Sequence, residues 1–344
     1  MKTQTRWFSD SFLFILLSVF IIIPVYAQPG GDEQKEISIE MLGAHDPVMI
    51  REGNTYYLFM TGRGISAWSS KDMKTWQRCP DVLNPIPQWA IDEVPGYKGH
   101  TWAPDILFHE GTFYLYYSCS SFGKNSSAIG VATNKTLDPN STEYKWTDQG
   151  KVVASVPGRD LFNTIDPNVI FDEQGTPWLF FGSFWGGIKM VKLDTTLTKL
   201  AEPQQWHTVA RQVRTFGLDE KDPGDGAIEA PFVFRHGNFY YLFVSLDYCC
   251  RGLKSTYKVA VGRSESITGP YLDKEGKALV NGGGTILMKG NEKWSAVGHN
   301  AVYTFDATDY MVCHGYDTKS NGRSLLIIAP LTWDTDGWPV VEKY

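Results

Sequence analysis

Five times along this chain a short polar or acidic turn beside a proline or alanine leads into two aromatic-rich runs separated by a turn. The first is His45-Asp46-Pro47-Val48, followed by Tyr56-Tyr57-Leu58-Phe59; the second is Trp102-Ala103-Pro104-Asp105, followed by Phe113-Tyr114-Leu115-Tyr116. Then come Ile165-Asp166-Pro167-Asn168 with Trp178-Leu179-Phe180-Phe181, and Ile228-Glu229-Ala230-Pro231 with Tyr240-Tyr241-Leu242-Phe243. A weaker fifth copy is Gly298-His299-Asn300-Ala301 with Tyr310-Met311-Val312-Cys313. Counting from Asp46 through Ala103, Asp166, Ala230 and Asn300 gives steps of 57, 63, 64 and 70 residues. A unit repeated on that scale cannot bury its apolar face alone and must stack on its neighbours, as in a propeller or a solenoid.

Arg51-Glu52-Gly53-Asn54, His109-Glu110-Gly111-Thr112, Asp172-Glu173-Gln174-Gly175 and Arg235-His236-Gly237-Asn238 each separate two apolar runs, the pattern of a hairpin turn. Further short β-prone runs follow, such as Ile65 to Ser69 and Ala128 to Ala132, and no long helical period interrupts them. Four antiparallel strands per unit and five units predict an all-β, five-bladed propeller over residues 41–344. Proline near each first strand agrees, since it is tolerated where a strand begins. A β-sandwich could hold as many strands but gives no reason for the repeat. In a propeller the first strand of every blade lines the central channel, so the recurring turn would deliver its side chains to one axis.

The formal net charge of −6, without a long Lys/Arg run, argues against nucleic acid as a partner. Lys2 and Arg6, the apolar stretch Phe12–Ile23 and Val25-Tyr26-Ala27 have the layout of a signal peptide over residues 1–27. That stretch falls short of the roughly 20 residues needed to cross a bilayer, so an exported protein without a membrane span is expected, in a periplasm or outside the cell. Residues 28–40 read as a flexible leader. Five cysteines, at positions 79, 119, 249, 250 and 313, are too few and too irregular for a disulfide framework and are expected to be buried free thiols. Aromatic residues make up 14% of the chain, including 12 tryptophans; most must be core, yet aromatic faces also stack on sugar rings.

Aspartate before proline is an ordinary turn residue when met singly. Three acids brought to one axis from three repeats are another matter, because like charges and burial push their pKa values apart. A protonated carboxyl and an ionised one on either side of a bond are what glycoside hydrolysis requires. Glu229, beside Ala230-Pro231, is the candidate acid, Asp46 the candidate base, and Asp166 the group that raises the pKa of Glu229 and orients it. Trp102, near the start of the second unit, is a candidate sugar-stacking residue, with blade packing as its plain alternative. His299 alone reads as a polar core group.

The set His45-Asp46-Pro47, Ile165-Asp166-Pro167-Asn168 and Ile228-Glu229-Ala230-Pro231 resembles family 43 glycoside hydrolases, five-bladed propellers with an Asp base, an Asp modulator and a Glu acid. The stretches 121–130, 181–188 and 247–252 look like those of its endo-α-1,5-L-arabinanases. The resemblance implies cleavage of internal bonds in arabinan or arabino-oligosaccharides, with inversion of configuration. It also implies sugar contacts from Asn163, Thr164, Ile165, Ser183, Phe184 and Trp185, and a largely water-bound calcium ion at His299. A monomer is expected. Exo-acting α-L-arabinofuranosidases and β-xylosidases share the three acids, so the acids do not separate them from an endo enzyme. A propeller that binds carbohydrate without catalysis is the alternative from another class.

Overall fold

The structure, a computed structural model, describes residue 1 and residues 36–215, 217–218 and 222–344. The expected signal peptide and most of the leader lie outside the described residues. From Ile37 onward the chain is already part of the sheet structure, with Ile37–Ser38 paired to Thr75–Trp76, so the described part of the leader is an outer strand. Among the described residues no helix is long and apolar enough to cross a membrane.

Five antiparallel sheets follow one another along the chain. Blade 1 is built from Val48–Glu52, Thr55–Met60, Ser66–Ser70 and Thr75–Cys79, and blade 2 from His100–His109, Thr112–Cys119, Ser127–Asn134 and Thr147–Ser155. Blade 3 comprises Asn168–Phe171, Pro177–Phe181, Ile188–Lys192 and His207–Ala210. Blade 4 comprises Ile228–His236, Phe239–Leu246, Lys258–Ser264 and Thr285–Met288, and blade 5 Trp294–Phe305, Thr308–Asp317, Arg323–Trp333 and Pro339–Val340. This is the expected five-bladed β-propeller, four main strands to a blade. The aromatic runs are the second strands, buried on both faces between adjacent blades; Phe59, Tyr116, Phe180 and Phe243 are among the largest fully buried side chains.

Each recurring turn has one residue in the left-handed region: Asp46 (φ 53), Ala103 (φ 42), Asp166 (φ 60), Ala230 (φ 54) and His299 (φ 52). A left-handed residue carries its N–H out of the line of its own strand. Here the N–H crosses to the preceding blade in the ring. Ala103 donates to Thr61 Oγ1 (2.9 Å), Asp166 to Ser118 Oγ (3.0 Å), Ala230 to Asp166 Oδ2 (3.1 Å) and His299 to Ser245 Oγ (2.8 Å). Asp46 closes the circle by donating to His314 Nδ1 at 3.2 Å. In blades 2, 4 and 5 the same position breaks the ladder register, between Trp102 and Asp105, Glu229 and Phe232, and Gly298 and Ala301. Such bulges turn the chain and re-aim its side chains.

A second set of ties lies farther from the turn. Asp105 Oδ2 in blade 2 accepts the Val169 N–H of blade 3 at 2.7 Å, and Asn168 Oδ1 accepts the Val233 N–H of blade 4 at 2.8 Å. The Asp105 carboxyl is buried, and burial raises its pKa to about 7 against the opposing hydrogen bonds from Val169 and Asn168. A raised acid penalises the folded state once the unfolded chain ionises. The penalty is absent below about pH 4, grows up to about pH 7 and is constant above. Asp105→Asn keeps an oxygen for Val169 and cannot ionise. Its melting temperature relative to the parent protein should therefore rise between pH 4 and pH 8, whereas a difference independent of pH would contradict the assignment.

Candidate active site

The turn geometry brings Asp46, Asp166, Glu229 and His299 together from blades 1, 3, 4 and 5. Asp46 and Asp166 occupy the left-handed positions themselves. Glu229 sits one residue earlier, opposite Ser245 on the adjoining strand, as Trp102 sits opposite Ser118 and Gly298 opposite His314. Its carboxyl therefore leaves the backbone from a different place in the repeat than the two aspartates.

Asp46 is enclosed by donors. Its Oδ1 lies 2.9 Å from His45 Nδ1 and 2.9 Å from His299 Nδ1, while its Oδ2 accepts the Thr61 hydroxyl at 2.5 Å. Burial alone would push this carboxyl up, but His299 and then His45, by charge and hydrogen bonding, hold it well below the usual carboxylate range. Thr61 is itself fixed by the Ala103 N–H, so the first blade interface and the Asp46 carboxylate share one hydroxyl.

Glu229 is held by neutral groups instead. Ser183 Oγ donates to its Oε2 and the Tyr257 hydroxyl to its Oε1, each at 2.8 Å. Desolvation raises its pKa, opposed by these two hydroxyls and by His299. Tyr257 passes directly over Gly298, where a Cβ would collide with the phenol ring, so only glycine lets this tyrosine approach Glu229. Asp166 is raised further, to about 8, first by burial and then by Glu229 and Asp46, with His299 opposing. His299 itself is pushed down by burial, yet Asp46, then Asp166 and Glu229, lift it to about 9. At neutral pH the cluster thus has one firmly ionised carboxylate, two carboxyls lifted toward protonation and one imidazolium.

The residues implied as sugar contacts divide into two groups. Trp102 is half-buried, with its Nε1 donating to His100 Nδ1 at 2.9 Å, and Phe184 (φ 53) is half-buried with its ring 5.8 Å from that of Tyr248. Ser183 reaches Glu229 as described. Asn163, Thr164, Ile165 and Trp185 are all buried. Asn163 Oδ1 accepts the Ser127 hydroxyl (2.7 Å) and the Thr164 backbone N–H donates to Ser155 Oγ (3.0 Å), so the Asn163 side chain and the Thr164 backbone brace the turn that delivers Asp166. Trp185 is only 4 % exposed and packs into the blade, offering no open face for stacking.

A cation at His299 can be tested against the donors present. His299 turns its Nδ1 to Asp46, and among the described residues the adjoining Asn300 has both side-chain polar atoms buried without a partner. Orphaned polar atoms of that kind are normally satisfied by an ion or water. One imidazole and one amide oxygen fit a calcium ion whose other ligands are waters. A second grouping, His45, Asp46 and His314, has ligand atoms within 4.8 Å of one another. Its atoms are already committed, since His314 Nδ1 accepts the Asp46 N–H and His45 Nδ1 lies on Asp46.

Thr61, Ser118, Ser183, Ser245, Tyr257, His314 and Tyr316 were not singled out by their sequence motifs. A signal existed for four of them: Thr61, Ser118, Ser183 and Ser245 each stand five residues after the first aromatic of their repeat. The cysteines correct another expectation. Cys79, Cys119 and Cys313 are buried free thiols, but Cys249 and Cys250 are joined by a disulfide in the loop beside Tyr248.

The sequence profile of glycosyl hydrolases family 43 matches residues 39–339. The chain is 51% identical over 304 residues to the extracellular exo-α-(1→5)-L-arabinofuranosidase of Cellvibrio japonicus (strain Ueda107), covering 88% of each protein. It is 41% identical over 299 residues to an extracellular endo-α-(1→5)-L-arabinanase of Bacillus subtilis (strain 168), covering 86% of each. The structure of Cellvibrio cellulosa α-L-arabinanase complexed with arabinohexaose superposes with a TM-score of 0.86 at 51% identity, over 88% of this chain and 96% of that one. With the profile spanning nearly the whole propeller and half the residues shared with a curated relative, this chain belongs to glycosyl hydrolases family 43.

Proposed function

We propose that this protein hydrolyses α-1,5-L-arabinofuranosidic bonds of arabinan outside the cytoplasm by a single displacement that inverts configuration. The observation that carries the chemistry is the opposite treatment of two buried carboxyls: Asp46 is held ionised by His299, His45 and Thr61, while Glu229 is lifted by burial and touched by two hydroxyls. An ionised carboxylate can take a proton from water, and a lifted carboxyl can give one to a departing oxygen.

In the forward step Asp46 accepts a proton from the attacking water as its oxygen bonds to the anomeric carbon. The bond from that carbon to the glycosidic oxygen breaks, and Glu229 supplies the proton that the leaving oxygen requires. Asp166 supports this arrangement in two ways. Held largely protonated itself, it adds no charge that would draw His299 away from Asp46, and its Oδ2 fixes the Ala230 N–H next to Glu229. Trp102, Phe184 and Ser183 are proposed to contact the sugar at the site, whereas Asn163, Thr164, Ile165 and Trp185 shape the walls that present it. A calcium ion held by His299, with Asn300 as its neighbouring oxygen, would supply positive charge to balance the three acids.

The position of cleavage has two readings. Exo action is favoured by the 51% identity to an exo-acting arabinofuranosidase. Endo action is the reading of the sequence motifs and is supported by the 41% relative. Products from linear 1,5-arabinan decide between them. Exo action releases one short product of constant size from the outset; endo action gives an early ladder of mixed oligomers.

Glu229→Gln and Asp46→Asn should each lower kcat about 10²–10⁴-fold, the usual contribution of a positioned acid or base, as measured by reducing-sugar release. Full activity in either variant removes that residue from its role. Tyr257→Phe deletes a hydroxyl that opposes the rise in the Glu229 pKa, so that pKa should climb further. Activity that needs a protonated Glu229 then persists to higher pH, and the alkaline limb of kcat/KM should move upward. A limb that stays in place or moves down contradicts the acid assignment. For the ion, added calcium should raise the melting temperature and EDTA should lower it; a melting curve indifferent to both removes calcium from the site.

A further inference from the structure

The disulfide-linked pair Cys249–Cys250 stands in the loop that joins the second and third strands of blade 4. Cys250 is exposed, and its backbone is left-handed at φ 65, a conformation disfavoured for a residue with a Cβ. Its N–H nevertheless donates to the Tyr316 hydroxyl of blade 5 at 2.8 Å, and its Sγ lies 3.7 Å from His45 Nε2 of blade 1. One loop thus touches two other blades at the mouth of the site.

Tyr316 connects that loop to the proposed base. Its hydroxyl is 3.2 Å from His45 Nε2 and 3.3 Å from His314 Nε2. His314 Nδ1 accepts the Asp46 N–H, so its ring proton is on Nε2 and is donated to the Tyr316 oxygen. The Cys250 N–H is donated there as well. The remaining proton, that of Tyr316 itself, is left for His45 Nε2, and His45 Nδ1 then carries the proton directed at Asp46 Oδ1 at 2.9 Å. His45 is also stacked on His314, with ring centroids 4.2 Å apart. The path from an exposed loop to the carboxylate is continuous and every donor has one acceptor.

We propose that the Cys249–Cys250 disulfide is a positioning element for the reaction: it holds the Cys250 N–H on Tyr316 and the Cys250 sulfur against His45, and so fixes the ring that orients Asp46. The inference rests on the reading of Asp46 as the base. A disulfide between adjacent residues closes a small ring through their shared peptide, which keeps Cys250 left-handed without a glycine. Opening it frees the loop to adopt ordinary backbone angles and withdraw its N–H from Tyr316. His45 then loses its packing partner and the donor arrangement that presents Nδ1–H to Asp46. The same loop carries Tyr248, which faces Phe184, so a plain sugar-contact role is the rival explanation and would act on KM.

The test is reduction of the folded, mature protein with a water-soluble phosphine. Cys79, Cys119 and Cys313 are buried, so a gain of two titratable thiols reports opening of this pair. Reduction should lower kcat about tenfold, as small misplacements of a reacting group do, with KM within about twofold and recovery on reoxidation. The double variant Cys249→Ser/Cys250→Ser should behave alike. Tyr316→Phe should lose a similar factor, and the triple variant no more than the larger of the two, because both act on one path. The inference is overturned by unchanged kcat, by a rise in KM alone, by losses that multiply in the triple variant, or by losses that only track a falling melting temperature. Asp46→Asn run alongside separates the two readings. If it stays active, the base assignment fails; if it is inactive while reduction has no effect, only the positioning role fails.

Discussion

The left-handed residue at the start of each blade is the constraint on which fold and site both depend. In a regular strand its N–H would bond within its own sheet. Turned to φ between 42 and 60, it bonds the neighbouring blade and leaves the side chain on the channel side. Non-glycine residues pay about 1–2 kcal/mol for this conformation, and five of them are tolerated because each N–H is satisfied across an interface. The ring of cross-blade bonds is thus also what points Asp46, Asp166 and His299 at one another. A change that relaxed one of these turns would loosen an interface and displace a site residue together.

Charge explains why the ring does not push itself apart. Three buried carboxyls in one channel cannot all be ionised without large cost. The structure resolves this by giving both nearby histidines to Asp46 and letting burial lift Asp166 and Glu229. His299 makes the arrangement self-consistent, since the acids raise its pKa to about 9 and its charge in turn restrains theirs. Either a protonated His299 or a divalent ion bound to its neutral form would balance the acids, and this residue comes from the one recurring turn that contributes no acid.

Much of this was legible in the sequence because repetition is a global property that survives local ambiguity. Five repeated second strands and five recurring turns, four of them marked by proline, sufficed for the propeller and for placing Asp46, Asp166, Glu229 and His299 as candidates on one axis. The one-residue offset of Glu229 was not, because a bulge is set by which N–H bonds sideways and leaves little trace in composition. Nor does the sequence show that Trp185, implied as a sugar contact by the resemblance, is buried in a loop where Phe184 and Trp185 are successively left-handed. The Cys249–Cys250 bond was also missed, since adjacent cysteines look like poor partners in the sequence and nothing in their spacing shows the left-handed turn at Cys250. Endo or exo action depends on how loops close the ends of the cleft, and repeats carry no information about loops.

The two halves of the site are built to different standards, and the proposed inverting displacement gives a reason. Under it each turnover would leave the base protonated and the acid ionised, so both would have to be reset before the next substrate. Asp46 has charged and rigid partners: His299, His45 backed by Tyr316 and His314, and Thr61 pinned by the Ala103 N–H. These favour the ionised form so strongly that the acquired proton is readily lost. Glu229 has only hydroxyls, and a hydroxyl can rotate to donate to a carboxylate or to accept from a carboxylic acid. Ser183 and Tyr257 therefore serve both of its protonation states, while burial and the charge of Asp46 supply the bias toward regaining the proton. A rigid frame suits the group that must shed its acquired proton, and an adaptable one suits the group that must regain the proton it gave.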